Sequence, residues 1–200
     1  MLSLIWSFPA NAQPSEWLNL LNAERSGSSI KLSDKDVFFA PQEQAPFGPL
    51  VAVGYRQTDG TLTLGSLLWR QKVWSTLAGY GAILADAGFG QASDEQRGEL
   101  FLALLRTTQQ PLGIWVYEGE TARDPDRPHP PSSFRQTDGL HRFVVWYCQE
   151  PGMREGPEWR RVLYLVDASN GSVQARTLAS FRPEAERLRG FPAIPSKSSE

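Results

Sequence analysis

Apolar residues recur along the chain with two different periods, and each change of period marks an element. Trp17, Leu18, Leu20 and Leu21 follow helical spacing and Gly27 stops the pattern, which predicts a helix over 15–25. Val37-Phe38-Phe39 reads as a short strand inside a loop-like stretch, 26–49, rich in Ser, Pro and Gly. From Leu50 to Gln57 the pattern alternates, with Val51, Val53 and Tyr55 on one face. After Thr58-Asp59-Gly60-Thr61 the alternation resumes at Leu62 and Leu64 and runs on through Leu67, Leu68 and Trp69. Asp-Gly between two alternating runs predicts a hairpin with a type I′ turn, whose two central residues both take positive φ. Leu77, Tyr80, Ile83, Leu84 and Ala87 fit a helix capped by Gly88, against the helix-weakening presence of Gly79 and Gly81.

Ser93 opens the strongest helix. Gln96 stands three residues on, as a capping box requires, and Asp94 and Glu95 suit the positive end of the helix dipole. Leu100, Phe101, Leu104 and Leu105 form its apolar stripe, and Pro111 lies past its end. Residues 112–117 are apolar on both faces and are expected to form a central strand. Residues 118–139 read as a long polar connection holding four prolines around His129. Strands follow over 140–148 and 159–166, and the Asn170-Gly171 turn leads into the alternation of Val173, Ala175 and Thr177. Pro183 and Gly190 bracket a last short helix.

Helices and strands are segregated and the strands follow one another through short turns, so the class is α+β with antiparallel pairing. The expected architecture is a twisted antiparallel sheet of about six strands, with two to four helices packed on one face. The alternative is a partly closed β-barrel with flanking helices, because the strands are numerous and aromatic-rich. Arg56-Gln57-Thr58-Asp59-Gly60 recurs as Arg135-Gln136-Thr137-Asp138-Gly139, and differing flanks make both copies turns that feed a strand before they make a duplication.

At the start, an apolar stretch ends in Pro9 and then Ala10-Asn11-Ala12, a small-x-small pattern that marks residues 1–12 as the remnant of a secretion signal. The other reading places Leu4, Ile5 and Trp6 in the core of a cytoplasmic protein. Residues 13–190 then form a single α+β domain and 191–200 a flexible tail. The 200 residues carry a net charge of −2, which supplies no global field for nucleic acid or an anionic membrane. No apolar run reaches the length of a membrane anchor.

One cysteine, Cys148, excludes an intrachain disulfide, and two histidines make a multi-His metal site improbable. Neither a cofactor fingerprint nor a nucleophile elbow, P-loop or zinc-protease motif is found, and no cofactor is expected. His129 and His141 are the only candidates for a His/Asp hydrolase; His141 alternates with Phe143 and Val145 and reads as structural. The least ordinary feature is seven tryptophans, and sixteen of the twenty cationic side chains are Arg. Interfaces favour both residue types.

The sequence therefore suggests a non-enzymatic, exported binding or assembly module. Its candidate contact residues for a protein partner are Trp69, Trp74, Trp115, Trp146, Trp159, Arg123, Arg127, His129 and Arg135, centred on the Pro-rich loop. The alternative is a carrier of a small hydrophobic ligand in an aromatic-lined cavity. Val166-Asp167-Ala168-Ser169-Asn170-Gly171-Ser172-Val173 resembles the hairpin turn of small secreted PepSY-type modules; the resemblance covers that hairpin alone and implies no function.

Overall fold

The computed structural model describes residues 14–25, 27–28, 31–117, 133–137, 140–149 and 158–181. The secretion-signal reading of 1–12, the helix expected after Pro183 and the tail from 191 lie outside these residues, as do Arg123, Arg127 and His129.

Three α-helices and nine strands run in the order α1 (Pro14–Glu24), β1 (Val37–Gln42), β2 (Leu50–Arg56), β3 (Leu62–Trp69), β4 (Lys72–Ser75), α2 (Thr76–Asp86), α3 (Asp94–Gln109), β5 (Ile114–Tyr117), β6 (Ser133–Thr137), β7 (Leu140–Gln149), β8 (Glu158–Asp167) and β9 (Val173–Phe181). The α+β class and antiparallel pairing are as expected. The single sheet of about six strands is not: there are two sheets, β1-β2-β3-β4 and a five-stranded one, β5-β7-β8-β9 with β6 also on β7. Neither sheet closes into a barrel.

Nor do the helices share one face. Trp17 and Leu21 of α1 pack with Val37, Val51, Val53 and Leu68 on one side of the first sheet. The other side of that sheet shares the main core with α2, α3 and the second sheet: Ala52 and Leu67 meet Tyr80, Ile83, Phe101 and Leu105, and these meet Phe143, Val145, Tyr164 and Val166. Strand alternation sorts these sets, since neighbouring residues such as Leu67 and Leu68 point to opposite faces. A side-chain amide fastens the two sheets together directly: buried Gln149 donates through Nε2 to the Leu62 carbonyl at 2.8 Å and accepts from Arg160 at 2.9 Å.

The capping box forms as read: Ser93 Oγ accepts from the Gln96 amide, and Gln96 Oε1 accepts from the Ser93 amide at 2.9 Å. Two strand expectations are corrected. Among the described residues β5 is an edge strand, paired with β7 alone; its apolarity comes from Ile114 and Val116 facing the core, while Trp115 is half-buried. The polar connection 118–139 also contains β6, whose Thr137 pairs with Leu140 across the second Asp-Gly.

The first Asp-Gly is not a type I′ turn. Only Gly60 has positive φ, the Gln57 amide donates to the Thr61 carbonyl at 2.8 Å, and Asp59 Oδ1 accepts from both the amide and hydroxyl of Thr61. The two-residue turn with both φ positive lies instead between β3 and β4, at Arg70 (50°) and Gln71 (59°), where Trp69 pairs with Lys72. Neither residue type favours that conformation. Arg70 has a compensating reason to be there: its guanidinium pairs with Asp86 at 2.6 Å and lies 4.5 Å from the centroid of the Trp69 ring. Gln71 has no such tie. Gln71→Gly is therefore expected to stabilise the protein by about 1 kcal/mol, raising the thermal midpoint by about 2–4 °C. A thermal melt of the variant beside the wild type checks it.

Candidate functional site

The second sheet has one face turned to the helices and one turned away. Along β7 the odd positions Phe143, Val145 and Tyr147 enter the core, so Arg142 and Val144 stand on the outer face. Register carries this face across the sheet. Arg142 pairs with Leu165 and Leu165 with Gln174; Val144 pairs with Leu163 and Leu163 with Arg176. All of these but Val144 line a hollow of about 410 Å³, floored by Leu140, Leu163 and Leu165 and flanked by Arg142 and Arg176.

Both flanking arginines are exposed, and among the described residues neither has an acid partner or a hydrogen bond to its guanidinium. Asp167, which pairs with Leu140 at the near end of the sheet, is not available to them. Its carboxylate accepts from the Ser169 amide and hydroxyl and from Asn170 Nδ2, and these bonds hold its pKa below the ordinary value. The same bonds close the turn that the Asp-x-x-Asn-Gly pattern suggested. The β6–β7 register sets Arg135 directly opposite Arg142. Like charges at directly opposed positions of a sheet are unfavourable on their own.

Of the described residues singled out from sequence, none lines this hollow; Arg135 shares a backbone register position with Arg142, which does. Three of the tryptophans share the outer face of the second sheet, since Trp115 pairs with Cys148 and Cys148 with Trp159, and Trp146 stands two residues before Cys148; Trp69 and Trp74 belong to the first sheet. Trp146 and Trp159 are almost fully buried, with the Arg161 guanidinium 5.9 Å from the Trp146 ring centroid. Trp69 is buried and donates through Nε1 to the Phe47 carbonyl at 3.1 Å; Trp74 is half-buried, with Lys72 Nζ 4.1 Å from its ring centroid. Trp115 lies on the β5 edge. A second hollow, of about 480 Å³, lies between the loop at Phe47 and the start of α3, with Ala92, Gln96, Glu99 and Leu100 in its wall. Neither hollow is lined by tryptophan.

Arg142, Leu163, Leu165, Gln174 and Arg176 went unnoticed in the sequence. Their signal was present as Leu140-x-Arg142, Leu163-x-Leu165 and Gln174-x-Arg176, one same-face pair on each of three strands. Only register shows that the three lie side by side without an acid among them.

The chemistry within reach elsewhere is limited. His141 is buried, edge-on to the Phe89 ring, and its Nδ1 lies 3.9 Å from Asp94 Oδ1, beyond hydrogen-bond range. Asp94 itself is paired with Arg97 at 2.9 Å. Burial and then the Arg97 charge lower the His141 pKa, with Asp94 opposing them. Cys148 is buried. Among the described residues no three His, Cys, Asp or Glu side chains are grouped as a metal site would need, and no helix is long and apolar enough to cross a membrane.

Because the folded state disfavours the protonated imidazole, the unfolded chain binds more protons below about pH 6.5, and stability falls as pH drops through that value. In urea unfolding at about pH 7.5 and about pH 5.5, the wild type is expected to lose more stability than His141→Phe. Equal losses in both proteins would show that His141 does not contribute.

A buried hydroxyl network braces the core on which the sheet rests. Gln109 Nε2 donates to Tyr80 Oη at 3.1 Å; Thr108 donates to the Leu104 carbonyl at 2.8 Å, which leaves Thr108 Oγ1 to accept from Tyr80 at 2.9 Å. Tyr147 and Tyr164 bond to each other at 2.8 Å. Burial raises the pKa of all three tyrosines, Tyr164 up to about 12, so they stay neutral under ordinary conditions.

No family model, no curated protein and no solved structure matches this chain.

Proposed function

We propose that this protein is a non-enzymatic binding module that holds an acidic stretch of a protein partner on the outer face of its second sheet. One observation carries the reading: Arg142 and Arg176 flank an apolar hollow and have no counter-ion among the described residues. Arginine presents a planar fork that matches a carboxylate, and a leucine floor suits the aliphatic part of the same ligand.

The test reverses the charge. Arg142→Glu combined with Arg176→Glu is expected to weaken capture of an acidic partner by about a hundredfold, about tenfold for each site, and the loss should shrink as salt is raised. Lys35→Glu, in the exposed loop before β1, serves as the control and should leave capture unchanged. The measurement is isothermal titration with the partner identified by affinity purification and mass spectrometry from the native host. Equal affinity for the double variant and the control would reject the reading.

A further inference from the structure

We infer that the partner segment binds as an extended strand, adding to the free edge of β9 and laying its side chains over the arginine-flanked hollow. The inference rests on the proposed function and specifies the form of its ligand.

Among the described residues the sheet ends on β9, so one row of its backbone N–H and C=O groups has no neighbouring strand there. Gln174, Ala175, Arg176, Thr177 and Leu178 are all exposed, and among the described residues no strand pairs with that row. Proteins ordinarily blunt such an edge with proline, a bulge, extreme shortness or charge. The other edges follow the rule: β1 contains Pro41, β4 has 4 residues including Lys72, and β5 and β6 are short strands sharing one side of β7. β9 has 9 residues and no proline, and its one charge, Arg176, flanks the hollow, where a ligand carboxylate would pair with it. Its irregularity falls where Arg161 pairs with Ala179 and Val162 with Thr177, so Leu178 is the extra residue. Residues 173–177 therefore pair regularly with β8 and form a regular five-residue rail.

The rail borders the hollow, since Gln174 and Arg176 line both. A strand added about 4.8 Å from β9 places one residue opposite Arg176 and the next on the same face opposite Gln174. A carboxylate at the first position meets the Arg176 guanidinium. A long aliphatic side chain at the second reaches past Gln174 toward Leu165. For antiparallel addition the ligand reads Glu-x-Leu, with main-chain hydrogen bonds supplying affinity and the two side chains selecting the sequence.

The probe is the synthetic peptide acetyl-Thr-Val-Glu-Thr-Leu-Thr-Val-amide, titrated into the nitrogen-15-labelled full chain. In an added strand only one alternating set of peptide N–H groups faces β9. N-methylation of that set is expected to weaken binding more than about tenfold, while methylation of the other set leaves it within about threefold. Alternate amides of residues 173–177 should gain protection from exchange. Arg176→Glu should weaken the peptide about tenfold, and lysine in place of its glutamate should recover the loss.

If neither methylated set differs from the parent while Arg176→Glu still weakens binding, the strand form is overturned and the arginine hollow stands. If charge reversal also has no effect, both readings fall. Absence of peptide binding overturns the strand form. So does protection of the same amides in the free protein that rises with its concentration, which would mean that a second copy of the chain occupies the rail.

Discussion

Gly81→Ala is expected to destabilise the protein by about 3 kcal/mol, lowering the thermal midpoint by about 6–12 °C, although alanine is the better helix former by about 1 kcal/mol. The sign is reversed by a single contact. A Cβ built on Gly81 would lie 2.1 Å from the carbonyl oxygen of Gly171, in the turn between β8 and β9. That oxygen belongs to backbone and cannot swing aside. The approach is mutual: a Cβ on Gly171 would stand 3.0 Å from the Gly81 carbonyl oxygen, and one on Gly90 would stand 2.9 Å from that of Ala168. The helix thus seats the β8–β9 turn on glycine, and an added methyl pushes α2 and the second sheet apart. Gly79→Ala provides the contrast. Its new methyl would meet the flexible end of Leu67 at 2.8 Å and the Trp74 Cβ at 3.1 Å, so repacking absorbs part of the strain. Equilibrium unfolding in urea should rank Gly81→Ala well below Gly79→Ala. A variant of Gly81 as stable as the wild type would remove the contact as the reason for these glycines.

The same contact explains where sequence reading succeeded and where it stopped. Glycines at 79 and 81 argue against a helix because propensity is a local property, whereas Gly79 faces Leu67 and Trp74 and Gly81 abuts a turn 90 residues away. The helix was legible only from Tyr80, Ile83 and Leu84. Local chemistry transmitted well where it needed no partner: the Ser93–Gln96 capping box, the alternation of β2, β3, β7 and β8, and the burial of His141 and Cys148. It misled at Asp59-Gly60, where the side chain of Asp59 organises a longer loop, and at Arg70-Gln71, where the tight turn is imposed on unsuitable residues.

The division into two sheets was illegible for a related reason. Nothing in the alternation of β1 to β4 or β7 to β9 states which strands join, and α2 and α3 fall between the two groups. An arrangement with helices on one face and one with helices shared between two sheets leave the same stripe on α3. The candidate site was hidden in the same way. Arg142 and Arg176 are ordinary alternating residues on separate strands, and only register makes them flank one hollow without an acid beside them.

The shared position of α3 makes Phe101 costly to remove. Its ring is fully buried, stacked on Phe143 at a centroid distance of 4.3 Å and 23° between planes, and edge-on to Tyr164 at 5.1 Å and Tyr80 at 6.4 Å. It therefore joins α3 to α2 and to two strands of the second sheet at one point. Phe101→Ala is expected to cost about 4 kcal/mol, from the lost burial, the cavity left behind and the loss of ring contacts. Phe101→Leu keeps most of the volume and should cost about 1.5 kcal/mol. Phe143→Ala should cost about 3–5 kcal/mol, and because the two rings stack, the double variant should lose less than the sum by about 1 kcal/mol. Additive losses in that cycle would mean that the rings fill space independently. A cost for Phe101→Ala near that of Phe101→Leu would mean that the core closes over the cavity and that α3 is held to the second sheet by other contacts.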